Sequence, residues 1–174
     1  MDKLDKLTIV SVAVMCFYAA ALLALEYDPS QSEAKKETKI AAQKHIASPE
    51  LQNKINLAKN LLIQDNLKKS ETLVESLINE YPFEGQLYML KGDILMRHQQ
   101  PIAAMYEYRE AISLNPDFLD KKTKLFQGKK IKVTVEEAMS AIESGLQQNP
   151  GDNQLKDDRR TVYFMKRKLA GSCG

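Results

Sequence analysis

The polarity of the chain changes abruptly near its start. From Leu7 to Leu25, "LTIVSVAVMCFYAAALLAL", nineteen residues pass without a charge, and no later segment matches this. As a helix the stretch would rise about 28 Å, close to the thickness of a bilayer's hydrocarbon layer. It is longer than the apolar core of about 7–15 residues usual in a signal peptide, so an uncleaved anchor at 7–25, after a tip at 1–6, is expected. The small residues of "AAALLA" leave a cleaved signal as the alternative. Lys3 and Lys6 precede the span, and Glu26 and Asp28 follow it, which favours a cytoplasmic N-terminus with the bulk of the chain outside. Outside means periplasm if the source is a Gram-negative bacterium. Lys35, Lys36 and Lys39 argue for the reverse, with the bulk cytoplasmic. Residues 26–50 are polar, with Pro29 and Pro49 near their ends, and read as a tether, helical around 33–46.

Beyond the tether the apolar positions recur at steps of three and four, the period of a half-buried helix. Leu87, Tyr88, Leu90, Ile94 and Leu95 make one stripe; Ile102, Met105, Tyr108, Ala111 and Ile112 make a second. Between them "HQQP" supplies a turn, and Pro101 suits the first turn of a helix, where its missing N–H costs nothing. Pro82, Pro116 and Pro150 are spaced thirty-four residues apart, twice over. Aligned on them, Ala104 falls over Ser70 and Ala138, and Gly92 over Ala58. Small residues in both helices of a hairpin let the backbones approach closely. The chain therefore reads as helix–turn–helix units at 51–84, 85–118 and 119–150. In the third, Thr134 and Glu137 form a capping box that puts the second helix at about 134–148. Phe126 stands there in place of a small residue and "KKIKVT" lengthens the turn, so a splayed or shortened first helix is expected. Residues 151–168 suit a capping helix, with Leu155, Val162, Tyr163 and Met165 inward and Lys156, Asp157, Arg159 and Arg160 in water, before a tail at 169–174.

With Tyr88, Gly92, Leu95, Ala104, Tyr108, Ala111 and Pro116 in these slots, the middle unit resembles the tetratricopeptide repeat (TPR) family, although Lys91 replaces its usual leucine. Leu57, Ala58, Leu61, Ser70, Val74 and Pro82 match in the first unit. The resemblance, of the membrane-anchored bacterial type, implies an all-α fold. It would be an α-solenoid of TPR hairpins with a C-terminal capping helix, preceded by one transmembrane helix.

The resemblance also implies a concave groove lined by the first helices and binding a partner's helix or peptide. The positions turned that way are Gln52, Ile55, Lys59, Leu62 and Ile63; Gln86, Met89, Asp93, Met96 and Arg97; and Thr123, Gln127 and Lys130, with Asp120 and Ile131 beside them. Ile55, Leu62 and Met89 are equally readable as interhelical core. The family's carboxylate clamp of Lys and Asn is not matched, since Lys59, Asp93 and Gln127 fill that row.

Candidate chemistry changes the picture little. His45 and His98 lie in no metal-ligand pattern, no Cys-x-x-Cys-His is present, and neither a glycine-rich phosphate loop nor a Gly-x-Ser-x-Gly elbow occurs. No cofactor and no enzymatic activity are expected. Cys16 reads as a lipid-facing residue and Cys173 as a lone thiol in the tail. Residues 119–174 carry 12 basic and 7 acidic side chains, and six of the lysines fall within 121–132. This cluster reads as a solvated face; an anionic-lipid or nucleic-acid contact is the weaker reading, and nucleic acid is not expected as a partner. The functional expectation is a membrane-anchored scaffold that binds a protein in its groove. Anchored repeat proteins of this size resemble assembly factors, including those of cytochrome c maturation. The alternative is a permanent accessory subunit of a larger membrane complex.

Overall fold

Six α-helices and a short 3-10 turn make up residues 49–171, the part of the chain described by the computed structural model. They are α1 (Pro49–Ile63), α2 (Leu67–Glu80), α3 (Gly85–Arg97), α4 (Pro101–Leu114), α5 (Gly128–Gln148) and α6 (Asn153–Gly171), with the 3-10 turn at Pro116–Phe118 between α4 and α5. Among these residues there is no strand, so the described part is all-α. The expected span at 7–25 and the tether up to residue 48 lie outside the described residues. Among those described, no helix is long and apolar enough to cross a membrane.

The turns repeat along with the sequence. Asn66 N–H donates to the Leu61 carbonyl and Gln100 N–H to that of Leu95, both at 2.9 Å. In each case the residue before the donor takes a left-handed conformation, Asp65 at φ 57° and Gln99 at φ 58°. This is a helix C-terminal closure that usually recruits glycine, because a Cβ is crowded there. Gln99→Gly is therefore expected to stabilise the fold by about 0.5–1 kcal/mol. Denaturant titration checks this, and an unchanged or lowered midpoint contradicts it. The later helix ends also match. Tyr81, Asn115 and Asn149 donate their N–H groups to Leu77, Ala111 and Gly145 at 2.7, 2.9 and 2.8 Å. A proline follows each of the three, and it cannot extend a helix.

Each helix packs on its neighbours in the chain, α1 also reaches α3, and α4 also reaches α6. The buried side chains divide into two cores. Leu51, Ile55, Ala58 and Leu62 of α1 meet Val74 and Leu77 of α2 and Leu87, Leu90 and Ile94 of α3. Met89, on another face of α3, belongs to the second core with Met105, Tyr108, Ala111 and Ile112 of α4, Ile131, Val135, Ala138 and Ile142 of α5, and Val162 and Met165 of α6. Small side chains set the approach within hairpins. Ser70 is fully buried, and its hydroxyl donates to the Ala58 carbonyl at 2.9 Å. Gly92 lies against the ring of buried Tyr108.

The third unit departs from the expected pattern. No α-helix forms over 119–127; Thr123 donates to the Asp117 carbonyl at 2.8 Å, and Gln127 N–H to that of Phe118 at 2.7 Å, closing a loop. A helix there would place Lys121, Lys122 and Lys124 near its N-terminus, where the dipole disfavours cations. The "KKIKVT" residues are not a turn, because α5 already begins at Gly128, where the Phe126 ring occupies the space of a Cβ. Thr134 is consequently buried inside α5 and does not cap it. On α6, Val162 and Met165 are buried and Leu155 packs at the core edge, but Tyr163 is 48% exposed, contrary to its inward assignment. One step of 100° per residue carries Tyr163 away from Val162, past the rim of the buried stripe.

Candidate functional site

α1, α3 and α5 line an open groove on one side of the helices. Its first part is a cleft of about 390 Å³ lined by Lys59, Leu62 and Ile63 of α1, Gln86, Met89, Leu90 and Asp93 of α3, Lys130 of α5, and loop residues that include Lys124, Leu125 and Gln127. A second part, of about 450 Å³, shares Leu62, Ile63, Asp93 and Lys130 and adds Met96, Arg97, Tyr108, Val133 and Thr134. The missing helix at 119–127 shapes this opening. The first turns of α5 stand beside α3 and bring Lys130 and Val133 to the groove. Ile63 is 75% exposed and Val133 51% exposed, so two large apolar side chains face solvent at its edge.

At the floor, Asp93 holds two donors from two different helices. The Tyr108 hydroxyl donates to Asp93 Oδ1 at 2.6 Å, and Lys130 Nζ lies 2.7 Å from Oδ1 and 2.9 Å from Oδ2. Lys130 Nζ also sits 5.5 Å from the centre of the Tyr108 ring, within reach of a cation–π attraction. Burial, then the adjacent Asp93 charge and hydrogen bond, push the Tyr108 hydroxyl far above the usual tyrosine range. It stays protonated and donating. Asp93 is thus neutralised by Lys130, whereas Lys59 and Lys124 have no carboxylate within ion-pair distance among the described residues. The rim cation Arg97 reaches Asp65 at 3.6 Å, with both side chains mostly in water, where such a pair contributes little. The groove therefore combines apolar patches with a net positive character.

Ten of the expected positions come together here: Lys59, Leu62, Ile63, Gln86, Met89, Asp93, Met96, Arg97, Gln127 and Lys130. Three do not. Ile55 is 1% exposed in the α1–α2–α3 core, Thr123 is bonded into the loop, and Gln52 donates to Asn56 one turn along α1 at 3.3 Å. Leu62 and Met89 are buried and still contribute atoms to the lining. Of the two residues set beside these, Ile131 is core and Asp120 is exposed. Sequence reasoning missed Lys124 and Leu125, which reach the groove from a loop, Phe118 of the 3-10 turn, Val133, expected in a turn, and Thr134, expected as a helix cap. It also missed Asp158, buried on α6, which accepts from the Tyr106 hydroxyl of α4 at 2.7 Å and from Gln154 at 2.9 Å. The signal was available: Asp158 lies four residues before Val162, on the apolar stripe.

Against this geometry the comparisons with known proteins are negative: no family model matches the sequence, and no curated protein matches it.

Proposed function

We propose that this chain is a membrane-anchored adaptor, a short α-solenoid of tetratricopeptide-like hairpins whose groove holds a segment of a partner protein. The carrying observation is the groove itself, lined by apolar and basic side chains, open to solvent, edged by exposed Ile63 and Val133, with Lys59 and Lys124 unneutralised among the described residues. Apolar side chains left in water at a concave site favour a partner's apolar anchors, and unpaired lysines orient an acidic segment. The spacing of the turn hydrogen bonds supports the repeat reading, and the uncharged stretch 7–25 supports the anchor. Anchoring would concentrate the partner beside the bilayer, which suits assistance to the assembly or maturation of a membrane-associated or periplasmic complex.

A photo-crosslinking residue at Met96 in the full chain, used in its own membranes, tests the proposal. A discrete protein adduct is expected, and its yield should fall at least about fivefold in Ile63→Asp and in Lys59→Glu, given the roughly 1–3 kcal/mol cost of spoiling an anchor or inverting a guiding charge. Both positions are exposed or half-buried, so the fold is preserved. Adduct formation indifferent to both substitutions would rule out the groove as the docking site.

A further inference from the structure

The outer face of α6 has a composition that the groove does not explain. Opposite the buried stripe of Asp158, Val162 and Met165, the positions Arg160, Tyr163, Phe164 and Arg167 follow at the i, i+3, i+4, i+7 spacing of one helix face. All four are exposed, Tyr163 at 48% and Phe164 at 38%, and exposed Lys168 places its ammonium 5.6 Å from the centre of the Phe164 ring. From Arg159 onward the chain carries five basic residues and no acidic one. The nearest carboxylate on this face, Asp157, is engaged by Arg160 at 2.6 Å. Basic neighbours closely flank the two aromatics.

We propose that this stripe of α6 is a docking surface for an anionic lipid bilayer. Arg167 and Lys168 also border a cleft of about 570 Å³ beside the stripe, whereas the exposed rings of Tyr163 and Phe164 stand on the helix surface, where a plane of headgroups meets them along its length. Aromatic rings settle at the headgroup boundary, with long basic side chains reaching phosphates around them. Each lysine or arginine near an anionic surface contributes about 1 kcal/mol, roughly fivefold in affinity. Nucleic acid fits less well, because two adjacent rings on one helix turn make no stacking track for successive bases. This contact is independent of the groove and does not require the 7–25 segment to remain attached.

The chain contains no tryptophan, so Phe164→Trp installs a single fluorescent reporter on the stripe. The full chain would be mixed with vesicles of phosphatidylcholine alone or blended with phosphatidylglycerol, each with and without brominated lipid. Quenching of the reporter is expected in the anionic vesicles alone, fading as salt is raised. In that background, Arg160→Gln, Arg167→Gln and Lys168→Gln should each weaken it about fivefold, with circular dichroism unchanged because these side chains are exposed. A reporter placed instead by Leu57→Trp on α1 should remain unquenched in both lipids. Equal quenching with and without phosphatidylglycerol, or quenching that survives all three neutralisations together, overturns the proposal. So does a response to single-stranded DNA or to an acidic polypeptide that matches the response to anionic vesicles.

Discussion

Gly92→Ala is expected to lower the melting temperature by roughly 10 °C, and Gly92→Leu to abolish the cooperative transition. Local propensity alone gives the opposite sign, because alanine in place of a mid-helix glycine gains about 1 kcal/mol. Packing decides the outcome. A Cβ on Gly92 would overlap the Tyr108 ring, lying 2.6 Å from Cδ1 and 2.9 Å from Cζ. The ring cannot swing aside: Tyr108 is fully buried, and its hydroxyl is fixed to Asp93. α3 and α4 must therefore separate, at a cost of about 2–3 kcal/mol for alanine and more for leucine. Removing the ring should reverse the sign, so that in a Tyr108→Ala background Gly92→Ala becomes neutral or stabilising. Thermal melting of the four proteins checks the pair. A single Gly92→Ala variant that melts at or above the wild-type temperature would refute the tight contact.

The second large effect is alkaline. Tyr108 is held protonated in the fold by burial and by Asp93, with the Thr134 hydroxyl acting weakly the other way and Lys130 paired to the same carboxylate oxygen. In the unfolded chain its hydroxyl titrates near the ordinary value of about 10. Below that pH both states keep the proton and stability is unaffected. Above it the unfolded chain releases a proton that the folded chain retains, so stability falls by about 1.4 kcal/mol per pH unit from this residue. Tyr88 and Tyr106 are raised too, chiefly by burial, and they steepen the decline in wild type and variant alike. Tyr108→Phe should cost about 1–2 kcal/mol at neutral pH through the lost bond to a carboxylate. The deficit should then shrink as pH rises past about 10. Urea unfolding of both proteins across this range measures the gap, and parallel curves would show that the phenol does not carry the effect.

The hairpins could be read in the sequence because spacing and residue size both leave traces there. Pro82, Pro116 and Pro150 mark helix ends that the backbone reproduces, and Gly92 and Ala104 mark a close approach that the Tyr108 ring fills. The third unit was less legible. Its loop is fixed by Gln127 bonding back to Phe118 and by Phe126 folding over Gly128, contacts with no periodic signature. With α5 starting early, Thr134 moved from an expected cap to a buried interior position, and Val133 moved to the groove. The groove-facing row was recoverable from the repeat alignment at Lys59, Asp93 and Gln127. The Asp93–Lys130 pair was not, because it joins helices whose relative rotation the pattern does not specify. Ile55 shows the converse: a face assigned by alignment turned inward once a neighbouring hairpin covered it.

Because α3 supplies Leu87, Leu90 and Ile94 to one core and Met89 to the other, the described region has no clean place to be divided. Cleavage between Glu80 and Gly85 would strip the cover from α1 and α2 on one side and bare three large aliphatic side chains on the other. The smallest self-sufficient N-terminal piece must extend through Arg97, and a protease that nicks the 81–84 connection should find two unstable products where a string of beads would have yielded two durable ones.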